Sequence, residues 1–183
     1  VYINLGHGIN CYEKFKDIEN ILNTRHPHVL FVGEKQIDDD SRARLDMFNY
    51  EVETLDQGNK DRIWCAVSKS VEYKRRKDLE SKDAQCLWLQ FGKGRGTYII
   101  GGIYREFCRL DDKPRKISRS LRAQRERWQS CLRAVNKVFS KYSECHLLGD
   151  MNLNATKWRQ NGHRGIWEKQ PMVDDLYDIV LNP

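Results

Sequence analysis

The stretch Cys145-His146-Leu147-Leu148-Gly149-Asp150-Met151-Asn152 decides how this chain is read. Its apolar start reads as a short buried strand, which ends in Gly149-Asp150 and hands on to Asn152. A carboxylate at the end of a buried strand is costly unless it is paired, hydrogen-bonded or bound to a cation. Two earlier runs repeat the arrangement. Val1 to Leu5 reads as a buried strand containing Asn4, and Val29-Leu30-Phe31-Val32 as a fully buried strand that delivers Gly33-Glu34. If these strands are neighbours, Asn4, Glu34, Asp150 and Asn152 converge on one edge. Such a set of oxygen donors suits a hard cation such as Mg²⁺, which keeps several of its waters. Taken singly, Glu34 also reads as a turn cap and Asp150 as the start of an Asx turn.

Between these strands the pattern alternates. Phe15, Ile18, Ile21 and Leu22 share one helical face, which predicts a helix from about Tyr12 to Thr24, ended by Pro27. Asp38, Asp39, Asp40 and Ser41 read as a loop or a helix start, by default a solvated loop. Tyr50 to Leu55 and Ile63 to Val67 are expected strands around a turn at Gln57 to Asp61. Lys74 to Lys82 reads as a charged connection. Cys86 to Phe91 and Thr97 to Ile103 form an expected hairpin over the glycine-rich turn Gly92 to Gly96. That turn lacks the spacing of a phosphate loop. Ser118 to Tyr142 is the longest helix candidate, with Leu121, Trp128, Leu132, Val135 and Phe139 on one side. A last amphipathic helix is expected over about Val173 to Leu181. Strands outnumber helices and several pair as hairpins, so the expected class is α+β: mostly antiparallel sheets with flanking helices.

The 183 residues fit a single domain over residues 1–183, large enough for a sizeable core. The chain opens on Val1 rather than Met, which reads as an excised or processed piece. No apolar run approaches the roughly 20 residues of a membrane helix, and no signal peptide is visible. The six cysteines form no Cys-x-x-Cys pair and no zinc-ligand spacing, so they read as free core thiols of a reducing compartment. The formal charge of +6 is concentrated. From Lys113 to Lys141 the only acid is Glu126, against ten lysines and arginines including Lys116, Arg119 and Arg122. Such a segment reads equally as a solvated helix face and as a contact for a polyanion.

The motifs, taken in order, resemble the exonuclease–endonuclease–phosphatase superfamily with its DNase I-like fold. Within it they are most similar to the apurinic-type endonuclease domain of non-LTR (LINE-type) retrotransposons. Ile3-Asn4-Leu5 resembles the opening strand, Val29 to Glu34 the second strand, and Ile103-Tyr104-Arg105 the Val-Tyr-Arg strand end. Leu147 to Asn152 resembles the diagnostic Gly-Asp-Phe-Asn motif. Asn154-Ala155, Trp158, Arg164-Gly165 and Leu181-Asn182 resemble the retrotransposon branch's following segments. The resemblance implies a four-layer α/β sandwich of two mostly antiparallel sheets. It implies a Mg²⁺ (or Mn²⁺) ion held by Glu34 with Asn4, a water oriented or deprotonated by Asp150, geometry fixed by Asn152, and a phosphate touched by Tyr104. Arg105, Lys116, Arg119 and Arg122 would contact the nucleic acid, although a salt bridge explains Arg105 equally well.

The chain departs from the pattern at its end. The family closes with a Ser-Asp-His motif and an upstream Asp, and here no Ser follows Ser143 and no Asp-His pair occurs. The last strands are therefore expected to be missing, and the 183 residues alone to turn over little. The leading expectation is a metal-dependent endonuclease that nicks DNA, associated with the remainder of a reverse-transcriptase polyprotein, intracellular and nuclear. It would need no small-molecule cofactor and no membrane. The alternatives are a degenerate nuclease fold that only binds nucleic acid or protein, and a phosphoester phosphatase of the same superfamily.

Overall fold

In the computed structural model, residues 1–6, 11–34, 36–56, 61–81, 84–105, 114–152, 159–161 and 166–168 are described; side chains are described outside 11–12, 114–125, 159–161 and 166–168. The elements run β1 (Tyr2–Asn4), α1 (Cys11–Arg25), β2 (Val29–Gly33), α2 (Asp39–Met47), β3 (Tyr50–Thr54) and β4 (Ile63–Ser68). They continue with β5 (Tyr73–Arg75), β6 (Gln85–Phe91), β7 (Tyr98–Tyr104), α3 (Pro114–Phe139), β8 (Cys145–Asp150), β9 (Arg159–Asn161) and β10 (Ile166–Glu168). One sheet has the order β1-β2-β4-β3 and the other β5-β6-β7-β8. Each is antiparallel except at one edge, where β1 pairs parallel with β2 and β8 parallel with β7. β9 and β10 form a separate two-stranded ladder.

Strand alternation builds three cores and so four layers. Phe31, Ile63, Cys65, Val67, Leu87, Leu89 and Phe91 meet between the sheets. The opposite faces of β2 and β4 send Leu30, Val32, Trp64 and Ala66 onto Phe15, Ile18 and Leu22 of α1 and Leu45 of α2. Cys86, Trp88, Ile99 and Ile103 pack on Cys131, Ala134, Val135 and Val138 of α3. The order of layers is helices, sheet, sheet, helix: the DNase I-like sandwich, with two mixed sheets of four strands.

Local chemistry explains most element ends. α1 stops where His26 takes φ 41° and Pro27 follows. The Asp38 to Ser41 run is a helix start: Asp38 caps α2 by accepting from Ser41 N at 2.7 Å, and Asp39 and Asp40 fill its first turn. Arg44 of α2 pairs with Glu19 of α1 at 2.5 Å. The cysteines Cys65, Cys86, Cys131 and Cys145 are free thiols, and burial pushes the Cys131 thiol up to about 11. Among the described residues no helix is long and apolar enough to cross a membrane.

Two expectations change. The Lys74 to Lys82 connection begins inside a strand, β5, whose polar residues suit an edge. β1 and β8 are half-exposed rather than buried, because each is the outermost strand of its sheet. The glycine-rich turn does join β6 to β7, as a 3-10 turn at Gly94–Gly96. The helix expected over Val173 to Leu181 lies outside the described residues.

β5 also carries an ion network that ties the two sheets together. Arg75, with a side chain 8% exposed, donates to Glu53 of β3 at 3.0 Å and holds Glu80 in a two-pronged pair at 3.0 Å. Tyr73 donates to the other Glu53 oxygen at 2.9 Å. Removing the cation alone leaves two half-buried carboxylates uncompensated. Arg75→Met is therefore expected to cost about 3 kcal/mol, read as a lower urea midpoint at unchanged slope.

Candidate active site

The two parallel edges place four strand ends together. Along β1, Tyr2 packs on the core between the sheets while Ile3 faces the helices, so Asn4 shares the inter-sheet face with Tyr2. Along β7 and β8 the same alternation puts Tyr104 and Asp150 on the inter-sheet face, in register with each other. Glu34 is different. Leu30 and Val32 face the helices, and an extended continuation would send Glu34 with them. Instead Glu34 turns at φ 70°, its N–H donating to Arg62 O at 2.8 Å, and its carboxylate swings to the inter-sheet side. A non-glycine residue in this region is strained by ~1–3 kcal/mol, and such strain concentrates at functional sites. Asn152, at φ 49°, also takes a left-handed conformation, which asparagine tolerates better.

Two hydrogen bonds then cross the sandwich. Asn4 Nδ2 donates to Asp150 Oδ2 at 2.7 Å, and Tyr104 Oη donates to Glu34 Oε1 at 3.0 Å. The second Asp150 oxygen accepts from Asn152 N at 2.7 Å. Asn4 is itself held, its Oδ1 accepting from Gly6 N at 2.9 Å. Burial, then the hydrogen bond to Glu34, pushes the Tyr104 hydroxyl above the usual tyrosine range, so it remains a donor at neutral pH.

Asn4, Glu34, Tyr104, Asp150 and Asn152 are thus brought together. Arg105 is a correction. It is 4% exposed and lies beneath the cluster. Its guanidinium donates to Met151 O at 2.6 Å and Asn152 O at 3.1 Å, over the Trp128 ring at 5.8 Å. Asn152 Nδ2 returns a bond to Arg105 O at 2.6 Å. Arg105 therefore clamps the loop after β8 rather than facing a nucleic acid, because its donors are turned inward onto main-chain carbonyls. Lys116, Arg119 and Arg122 lie on α3, and their side chains are outside the described ones. Of the histidines, His26 and His28 sit before β2, and His146 packs edge-on against Tyr98 at the far end of β8.

Two members of the neighbourhood were not singled out from sequence. Lys14 is 8% exposed, and its Nζ donates to Gly6 O at 2.7 Å on the side of Gly6 that Glu34 Oε2 approaches. The signal was available: Lys14 sits four residues before Ile18 on the apolar face of α1. Tyr2 shares the parity of Asn4, and its hydroxyl is pushed above the tyrosine range by burial and then by Asp150, Tyr104 and Glu34.

The resemblance implies a divalent cation here. Among the described residues no three His, Cys, Asp or Glu groups cluster to hold a metal. The donors present are two carboxylates and the Asn4 and Asn152 carboxamides, all hard oxygens. Glu34 Oε1 is tied to Tyr104, leaving Oε2 toward Gly6. That set is too small to cage a cation, but it fits Mg²⁺, which binds through one or two carboxylates and retains water.

No family pattern matches the chain, and no curated protein does. Solved structures do. The endonuclease domain of TRAS1, a telomere-specific non-LTR retrotransposon, superposes with a TM-score of 0.60 at 16% identity, over 98% of this chain and 67% of that one. An AP endonuclease from Archaeoglobus fulgidus gives 0.61 at 14%, over 93% and 65%. TDP2 from D. rerio, complexed with single-strand DNA product, gives 0.54 at 14%, over 81% and 57%. This chain thus spans little more than half of that TDP2 structure. The chain has the DNase I-like fold of the exonuclease–endonuclease–phosphatase superfamily. At these identities the likeness establishes the fold alone.

Proposed function

We propose that this chain is a metal-dependent phosphodiesterase acting on DNA, an endonuclease domain related to those of non-LTR retrotransposons. The observation that carries the reading is the pair of hydrogen bonds crossing the sandwich, Asn4 to Asp150 and Tyr104 to Glu34. They couple two carboxylates from different sheets, one held at strained φ, where a fold needs neither. Glu34 and Asn4 would hold the cation. When bound, the cation polarises the phosphoryl oxygens as a Lewis acid. Asp150, fixed by Asn4 and by Asn152 N, accepts the proton of the attacking water and orients it. Tyr104, still protonated, donates toward the phosphate as the substrate displaces its bond to Glu34. Lys116, Arg119 and Arg122 of α3 would hold the backbone, giving salt-sensitive affinity. The 183 residues act as one domain. A DNA target, a reverse-transcriptase polyprotein as the covalent partner and a nuclear site of action belong to the same reading.

A second reading has one observation behind it. Among the described residues no histidine stands at the cluster, where the resemblance implies an imidazole. That favours a nuclease fold that binds DNA without cutting. The two are separated by supercoiled plasmid nicking at enzyme excess with Mg²⁺. Slow nicking, abolished by EDTA and restored by added Mg²⁺ or Mn²⁺, is expected. Binding of the plasmid with no nicking over hours, by protein that melts cooperatively, selects the second reading.

A further inference from the structure

Tyr2 has no role in the chemistry above, yet its hydroxyl lies inside the cluster. Its ring packs against the core between the sheets. Its Oη is buried and has no hydrogen-bond partner among the described residues. The slot it enters exists because residue 33 is glycine: a Cβ there would meet Tyr2 Oη at 2.1 Å and Tyr104 Cδ2 at 3.4 Å. Gly33 is also the register partner of Asn4, so the slot adjoins the strand end from which Asn4 reaches Asp150.

A buried hydroxyl without a partner destabilises a fold, since its hydration is lost and not replaced. Phenylalanine would fill the same space without that penalty. Fold stability therefore favours Phe at this position, and what the hydroxyl adds must lie elsewhere. Its surroundings name the place. The slot is bordered by Gly33, which precedes Glu34, and by Tyr104, the register partner of Asp150, so its walls are the strand ends of the proposed active site. We propose that Tyr2 is a positioning residue. Its hydroxyl is a fixed donor beneath Asp150 that keeps the carboxylate aligned on the attacking water once a phosphodiester draws Tyr104 and Asn4 toward itself. The role is to orient Asp150, not to touch substrate. It rests on the nuclease reading.

The test is Tyr2→Phe in the 183-residue chain, with thermal melting and plasmid nicking at enzyme excess, over a range of protein concentrations, measured together. A melting temperature a few degrees above the parent is expected, with the maximal nicking rate lowered about tenfold and the half-saturating protein concentration unchanged. A core role alone predicts no change in the maximal rate. A lowered melting temperature, or an unchanged maximal rate, overturns the inference while the nuclease reading stands. A parent protein that never nicks plasmid sinks the nuclease reading itself, and the role of Tyr2 with it.

Discussion

Replacing Asp150 by asparagine is expected, on the proposed mechanism, to slow nicking in Mg²⁺ by about 10²–10⁴-fold, the usual contribution of a general base. The side chain keeps its size, so the loss reports chemistry rather than packing. Both Asp150 oxygens accept hydrogen bonds, from Asn4 Nδ2 and from Asn152 N. Asparagine can satisfy only one of these donors and turns an amide toward the other. Asn4 cannot flip in response, because its Oδ1 is engaged by Gly6 N. A stability cost of ~1–2 kcal/mol follows from that clash of donors. Initial rates at enzyme excess and a thermal melt, run on parent and variant, check both parts. Equal nicking by the two proteins would remove Asp150 from the mechanism.

Gly149→Ala is expected to be strongly destabilising. Gly149 has φ 152° and lies in β8 directly against β7. A Cβ there would stand 1.9 Å from Ile103 O and 2.8 Å from Ile103 Cγ2. The first of these is main chain and cannot rotate away. Overpacking costs ~1–3 kcal/mol and an unfavourable φ about as much, so a loss of roughly 3 kcal/mol or more is expected. For a chain of this length that is on the order of 10 °C in melting temperature. The displaced strand end would also carry Asp150 away from Asn4, so activity falls with stability. Differential scanning calorimetry decides it, and a variant that melts with the parent refutes the close approach.

The glycine beside Asp150 is thus required by the neighbouring strand, a reason no reading of the motif alone contains. Other parts were legible because they follow from short-range rules. Phe15, Ile18 and Leu22 recur at helical spacing and are buried together. Val29 to Val32 is apolar throughout and is covered on both faces. Asn4, Glu34, Asp150 and Asn152, which the structure brings together, are legible as polar groups closing apolar runs, and Tyr104 is legible only through the family resemblance. Arg105 stays open in the sequence between a nucleic-acid contact and a salt bridge, since a guanidinium after a strand looks the same there whether it faces solvent or main-chain carbonyls. Tyr2 and Lys14 were passed over because an aromatic in a strand and a lysine in a helix carry no signal until their faces are known.

The chain's local order therefore set which segments become strands and helices, and which polar residues stand at their ends. These depend on side-chain periodicity, on caps such as Asp38 and on breaks such as Pro27, all acting within a few residues. Only the tertiary structure decided that β1 and β8 are edges, that their parallel partners bring Asn4 to Asp150, and that Glu34 turns against its strand's alternation to reach Tyr104. Those outcomes rest on contacts 70 and 146 residues apart in sequence, formed when two sheets close on one shared core.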